Sequence, residues 1–314
     1  LERAVADGDV DLVRKMLAGG ASPNAQCSDG DSILHLAAGT GSWEAVRVLI
    51  IFGAEVNATG GGGCTALHTA ASRDQVATIQ ELLQTGADKG VDINAQDEEG
   101  RTPLHAATMK DNAASVRVLH ARGADVGRLD SSGCTPLHWG VARELYGHGP
   151  YALDALLDAG VDVNVRQADV NAEFSPLDQA TAEGNLEVLQ KLLEHGANVN
   201  DANATGHTAL HMATCLDLDG AINLLVGAGA NVNAEAEHGT VPLHCAAANL
   251  LMGPARALLV NGASVNARNA WGRSPLHLAA ASDMFESGNR ADMVDCLMQS
   301  GADEEAVDGD GHTP

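Results

Sequence analysis

Aromatic side chains are scarce, with three Phe, three Trp and two Tyr in 314 residues. A large core therefore has to be built from Ala, Leu and Val, which suits helices packed closely on one another. Basic residues are also few, 18 against 42 acidic, for a formal net charge of −24. A phosphate backbone needs a basic face, so this balance argues against nucleic acid as a partner. No apolar run reaches the roughly 18 residues of a membrane-spanning helix, and membrane insertion is not expected. The opening LERAVADGDVD is neither basic nor apolar enough for a signal peptide.

Repetition is what the chain has in abundance. Length alone, at roughly 100 to 200 residues per domain, would suggest two globular domains, but internal repeats override that prior. A tetrapeptide of the Thr-Pro-Leu-His type ends at His35, His68, His105, His138, Asp178, His211, His244 and His277, at intervals of 33, 37, 33, 40, 33, 33 and 33 residues. In the copy from Gly206 to Asn233, Gly206 ends a tight turn and Thr208 is placed to accept a bond from an orphan helix N–H. The next position is often proline (Pro103, Pro136, Pro176, Pro242, Pro275), suited to a first helical turn. Small pairs follow, such as Ala37-Ala38 and Ala246-Ala247, which admit a close neighbouring helix. A second helix carries leucine pairs (Leu82-Leu83, Leu192-Leu193, Leu258-Leu259) and ends at a glycine followed by a small residue, from Gly53-Ala54 and Gly86-Ala87 to Gly301-Ala302. Asn57, Asn94, Asn164, Asn200, Asn233 and Asn266 come next, where a turn residue can bond its own backbone and open a hairpin.

A unit of hairpin, helix, turn and helix every 33 residues, with Thr-Pro-Leu-His opening the first helix, resembles the ankyrin repeat family over essentially the whole chain. The resemblance implies an all-α solenoid of stacked helix-turn-helix units with β-hairpin fingers. Residues 1–314 then form one array: a cap-like repeat 1–26, repeats near 27–59, 60–96, 97–129, 130–168, 169–202, 203–235, 236–268 and 269–307, and a truncated unit 308–314. It also implies that His35, His68, His105, His138, His211, His244 and His277 are scaffold, their side chains tying one repeat to the next. Asp178 departs from the motif, which marks the junction of repeats five and six as a candidate hinge.

The reactive side chains form no evident site, so no cofactor, metal or catalytic residue is expected. His207 precedes the helix opened by Thr208, so His207 and His211 do not make an i, i+4 ligand face, and no third ligand is near. The six cysteines (Cys27, Cys64, Cys134, Cys215, Cys245, Cys296) contain no Cys-x-x-Cys. Cys27 and Cys64, or Cys215 and Cys245, lie about one repeat apart, beyond the roughly 7 Å that bridging allows. Free thiols fit a cytoplasmic or nuclear location. The run from Gly60 to Gly63 lacks the Lys-Ser or Lys-Thr of a phosphate loop.

The family's usual work is binding other proteins in a concave groove lined by finger tips and first helices. Residues four and five after the motif histidine point into it, as the resemblance implies. Arg73, Lys110 and Arg143 fall at the fifth position of consecutive repeats, Met109 at the fourth, and Arg101 at the tip of the fourth finger. They predict a basic strip over repeats three to five that takes an acidic or phosphorylated segment, although Asp74, Asp111 and Glu144 lie beside it. Two longer inter-helix turns present further candidate anchors: Tyr146 and Tyr151 within 144–151, and Phe285, with Met284 and Asn289, after His277. Trp139 follows a motif histidine and Trp271 sits at a finger tip beside Arg273, whereas Trp43 is expected in the core. Extra residues near Asp88 to Asp92, and between Asn164 and Phe174, are expected to lengthen fingers. The resulting expectation is a monomeric, non-catalytic protein-interaction scaffold. The alternatives are the substrate-recognition region of a larger kinase or ubiquitin ligase, and a structural spacer.

Overall fold

The computed structural model describes residues 1–28, 30–144, 151–168, 174–282 and 287–314, with the backbone alone at 143, 144, 287 and 288. Tyr146, Met284, Phe285 and the Arg143 side chain therefore lie outside the described residues, as does most of the stretch between Asn164 and Phe174. Among the described residues there are eighteen α-helices, in nine consecutive pairs. The chain divides into two compact units, Leu1–Asn171 and Ala172–Pro314, the boundary falling in the stretch ahead of Asp178.

The first unit holds α1 (Glu2–Ala6), α2 (Val10–Ala18), α3 (Ile33–Thr40), α4 (Trp43–Ile51), α5 (Ala66–Ser72), α6 (Val76–Thr85), α7 (Pro103–Met109), α8 (Ala113–Ala121), α9 (Pro136–Glu144) and α10 (Tyr151–Asp158). The second holds α11 (Pro176–Ala182), α12 (Leu186–Glu194), α13 (Ala209–Cys215), α14 (Asp219–Gly227), α15 (Pro242–Ala248), α16 (Met252–Val260), α17 (Pro275–Ala281) and α18 (Ser287–Gln299). Within each unit the first helix of a pair packs on the first helix of the next, and the second on the second.

Several first helices, among them α7 and α11, start through a reciprocal cap. Thr102 Oγ1 accepts the His105 N–H at 3.4 Å, and the Thr102 N–H donates to His105 Nδ1 at 3.1 Å. The histidine thus takes the place that Glu or Gln holds in an ordinary capping box. Because Nδ1 accepts a backbone N–H, the ring proton sits on Nε2. Nε2 then donates to a carbonyl of the next repeat: His68 to Arg101 at 2.9 Å, His105 to Cys134 at 3.1 Å, His211 to Thr240 at 3.1 Å and His244 to Arg273 at 3.0 Å. At Asp178 the local half survives, with its Oδ2 accepting the Ser175 N–H at 3.0 Å and hydroxyl at 2.8 Å.

The small pairs are fully buried at Ala37-Ala38, Ala70-Ala71 and Ala246-Ala247. Where threonine fills the second slot, as at Thr108 and Thr214, its hydroxyl donates to the carbonyl four residues back, at 2.9 and 2.7 Å. Neither of these two hydroxyls is stranded against the neighbouring helix. Of the leucine pairs, Leu82, Leu192 and Leu258 are fully buried and their partners half-buried. Trp43, expected in the core, is only half-buried and lies under the Arg47 guanidinium, 5.1 Å from the ring centroid. Arg47 reaches on to the buried Glu81, at 2.9 and 2.6 Å, and so pins α4 to α6.

The fingers are tighter than full β-hairpins. Among the described residues they show only isolated bridges, such as Thr59 with Thr65 and Ala202 with Thr208. A single acceptor side chain closes several of them. Asp97 Oδ1 takes the N–H groups of Glu99 and Arg101 at 3.1 and 2.8 Å, and Asp130, Asn203, Asn269 and Asp308 do the same to the residues two and four ahead of them. Gly63, Gly100, Gly133 and Gly272 follow at φ between 70 and 74°. Only glycine fits there, because a β-carbon would come within 2.8 to 2.9 Å of a backbone nitrogen in the next finger. Successive fingers are joined by backbone bonds, as from Ser131 N–H to Glu99 O and from Ala270 N–H to His238 O.

The repeated asparagines do not open hairpins by bonding their own backbone, as the sequence suggested. Asn200 and Asn233 each hold the next repeat by donating to Gly229 O or Gly262 O at 3.1 Å and accepting from Asn231 N–H or Ser264 N–H at 2.7 Å. Asn57 bonds in the same way to Gly90 O and Asp92 N–H. The preceding segment explains the choice of Gly90. Gly86 is not left-handed (φ −79°), because the extra residues form a one-turn 3-10 helix at Ala87–Lys89 and pass the left-handed role to Gly90 (φ 71°). That insertion lengthens the end of α6 rather than a finger.

Candidate partner-binding groove

The groove side of the first unit is carried by the C-terminal ends of α5 and α7 and the finger between them. Repetition brings Thr69 and Ser72 of α5 against Ala106, Met109 and Lys110 of the next repeat. The Asp97–Arg101 finger tip closes one side. Together with Cys64 and His68 these residues line a cavity of about 240 Å³. His68 forms its floor as a neutral ring, since burial pushes its pKa below 6.5 and both ring nitrogens are already bonded.

The expected strip is only partly assembled. Arg73 and Lys110 cap the ends of α5 and α7, are exposed, and enter no ion pair among the described residues. The Arg73 guanidinium lies over Gly39 of the preceding repeat, where any larger residue would displace it. Arg101, by contrast, is spent within its own finger on Asp97 at 2.9 Å and Glu99 at 2.6 Å. The finger turn sets three charged groups two residues apart, so the local acids neutralise the one cation. Asp74 and Asp111, next to Arg73 and Lys110, cap the following second helices, accepting Ser115 N–H at 3.0 Å and Ala152 N–H at 2.7 Å. Both sit at left-handed φ (54 and 58°), and so does Asp217 (58°).

The other candidates are scattered. Tyr151 opens α10, 65% exposed, and faces Asp111, Ala114 and Arg117 on the outer side of the first unit. Trp139 is half-buried, and its Nε1–H donates to Asp130 Oδ2 at 2.7 Å, so the finger clamp fixes the indole. In the second unit Trp271 is 52% exposed and packs its ring 5.0 Å from His238. Arg273 beside it is internally paired, to Asp308 at 3.2 Å and Asp310 at 3.5 Å. Asp308 in turn is held down to about 2, chiefly by the His312 N–H. Asn289 lies in the first turns of α18 rather than in a connecting turn.

Sequence reasoning missed the finger clamp. An Asp or Asn eight residues before the motif histidine, at Asp97, Asp130, Asn203 and Asn269, was the available signal. It also placed Cys215 and Cys245 too far apart. They lie on α13 and α15, which pack against each other, close enough for each thiol to shift the other's pKa. The repeat spacing separates equivalent positions, and these two are not equivalent: Cys215 lies four residues after its motif histidine, Cys245 one after.

Stacked helix pairs with clamped fingers, and no helix among the described residues long or apolar enough to cross a membrane, define a helical repeat array. The model for ankyrin repeats (3 copies) matches residues 1–92, 89–167, 146–236 and 217–308, and the chain belongs to the ankyrin repeat family. Domains of this family are typically non-catalytic protein-interaction modules. A 65-residue stretch, 21% of this chain, is 42% identical to Arf-GAP with coiled-coil, ANK repeat and PH domain-containing protein 2 of Rattus norvegicus and of Mus musculus. The chain spans 8% of the length of those relatives. Among solved structures, the ankyrin repeat domain of Bcl-3 aligns over 77% of this chain and 91% of that chain, with 27% identity and a TM-score of 0.48.

Proposed function

We propose that this array is a non-catalytic scaffold that recognises an acidic or phosphorylated segment of a partner protein in the groove of repeats three to five. The observation that carries the reading is the pair of exposed cations outside any ion pair among the described residues, Arg73 and Lys110, on successive repeats of a chain with net charge −24, with Lys110 lining the 240 Å³ cavity. Arg143 continues that row by position. Arg101 is withdrawn from the strip and serves instead to hold the finger that walls the cavity. Solvated cations of this kind steer an acidic segment, and desolvated ones make charge-assisted bonds to it. The six free thiols favour a reducing, intracellular setting for the encounter.

The test is capture of partners by the chain and by an Arg73→Glu, Lys110→Glu variant, followed by titration of the captured partner's acidic segment against both. The double reversal is expected to weaken binding at least about tenfold at low salt, with the difference shrinking as salt rises. A folded variant that binds every partner as before removes the strip from the function. The likeness to multidomain proteins whose names include an ANK repeat favours a second reading, in which the array is the recognition region of a larger protein. Sequencing the complete reading frame decides between the two.

A further inference from the structure

Two thiols in the second unit stand apart from every role described so far. Cys215 is the last residue of α13 and is exposed; Cys245, half-buried, lies in the first turn of α15, which packs against α13. The fold brings this pair of positions together elsewhere in the array. In the first unit the same positions are held by Gly39 and Thr69, and a β-carbon on Gly39 would lie 3.2 Å from Thr69 Cγ2. With cysteine at both positions of the packed helices α13 and α15, the two thiols are set side by side. The neighbouring thiol lowers the pKa of the exposed Cys215, whereas the same proximity and burial raise that of Cys245 and hold it protonated. A nucleophilic, exposed thiolate beside a protonated resolving thiol is the arrangement that oxidant-sensing cysteines need.

We propose that Cys215 and Cys245 are a peroxide-responsive modification site that closes into a disulfide between repeats seven and eight. In the first step the Cys215 thiolate attacks one oxygen of a hydroperoxide. An S–O bond forms, the O–O bond breaks, and the departing alkoxide or hydroxide takes up a proton. Cys215 is left as a sulfenic acid. In the second step the Cys245 sulfur attacks Cys215, the S–S bond forms, the S–O bond breaks, and the hydroxyl leaves as water with the Cys245 proton. Two thiols lose two electrons and one hydroperoxide gains them. Reduction by a dithiol reverses the change. The remaining cysteines are placed differently. Burial pushes the Cys64 thiol up, and Cys134 Sγ accepts from Gln167 Nε2 at 3.3 Å.

The experiment treats the folded chain with graded hydrogen peroxide, blocks remaining thiols with N-ethylmaleimide and maps peptides by mass spectrometry without reduction. No Lys or Arg lies between Lys191 and Arg256, so trypsin leaves both cysteines on one peptide. Asp-N, which cuts before Asp217 and Asp219, separates them. The expected result is a Cys215–Cys245 crosslink, with loss of two hydrogens and of both maleimide labels, before any of the other four cysteines loses its label. It disappears on treatment with dithiothreitol. In Cys245→Ser the Cys215 sulfenic acid persists and is trapped by dimedone; in Cys215→Ser, Cys245 keeps its label. Far-UV circular dichroism checks that both variants are folded, and the crosslink in the unaltered chain stands as evidence independent of them. The proposal is overturned if Cys215 proceeds to sulfinic acid without a crosslink, if another cysteine oxidises first, or if Cys245 oxidises equally in Cys215→Ser.

Discussion

Mild acid is expected to loosen this array through its motif histidines, and His211 sets the size of the effect. The ring is fully buried, accepts the Thr208 N–H on Nδ1 at 3.2 Å and donates from Nε2 to Thr240 O. Burial lowers its pKa from 6.5 to about 4, with a smaller push from His207 and against the backbone bonds to Thr240 and Ala234. A second ring proton would replace an acceptor with a donor that faces the Thr208 N–H. Between those two values the unfolded chain binds more protons than the folded one, so stability falls as the pH falls. The contribution is complete above pH 6.5, drops by about 1.4 kcal/mol per pH unit below it, and has lost about 2 kcal/mol at pH 5 and about 3 kcal/mol near pH 4. His68, His105 and His244 are lowered in the same direction, again mainly by burial. The assay is urea unfolding at pH 7.0, 6.0 and 5.0 in a Trp43→Phe, Trp139→Phe background, where Trp271 reports on the second unit. His211→Gln should be less stable than its parent at pH 7 and should lose stability less steeply toward pH 5. Parallel pH profiles for the two proteins would refute the assignment of a neutral, acceptor-bearing His211.

Four further outcomes follow from particular contacts. Glu81→Gln should cost about 1 to 3 kcal/mol in thermal or urea unfolding, since it weakens the bond of a buried acceptor to Arg47; the Glu81 carboxyl is held below 4.5 chiefly by Arg47, so the pair's contribution is present above that value and lost at lower pH, outside the histidine window. Asp217→Ala should cost about 1 kcal/mol, more than the few tenths its exposure suggested, because the backbone there is left-handed at φ 58°; Asp217→Gly should be close to neutral, and equal losses for Ala and Gly would exclude backbone strain as the cause. Leu210→Ala, at a fully buried site, should cost about 2 to 5 kcal/mol by the same assay. Asn233→Ala should raise hydrogen exchange at Ser264, whose N–H loses its acceptor, while leaving the His244 cap protected.

The periodicity carried most of the architecture because each repeat is a local device read from a few residues. Thr102-Pro103 fixes a helix start, Ala70-Ala71 a close contact, and Gly262 a helix end, each through its own backbone and immediate neighbours. Any 33-residue window therefore states its secondary structure, and identical windows must stack to bury their leucines. The same locality explains the errors. Gly86 has the sequence of its equivalents but not their conformation, because an insertion just beyond it moved the left-handed turn to Gly90. Trp43 looks like a core residue until Arg47 is found bonding to Glu81, 34 residues away.

The sequence by itself determined the family, the all-α repeat and the placing of the seven histidines, because those depend on spacing along the chain. Tertiary structure decided which cations are free. Arg73, Lys110, Arg101 and Arg273 read alike in sequence, yet folding sets acids against the last two and leaves the first two to solvent. It also decided that Cys215 and Cys245 meet while Cys64 and Cys134 stay at separate fingers. Charge pairing and thiol contact fall off within a few ångströms, and distance on that scale is set by how neighbouring helices face each other, not by how many residues lie between them.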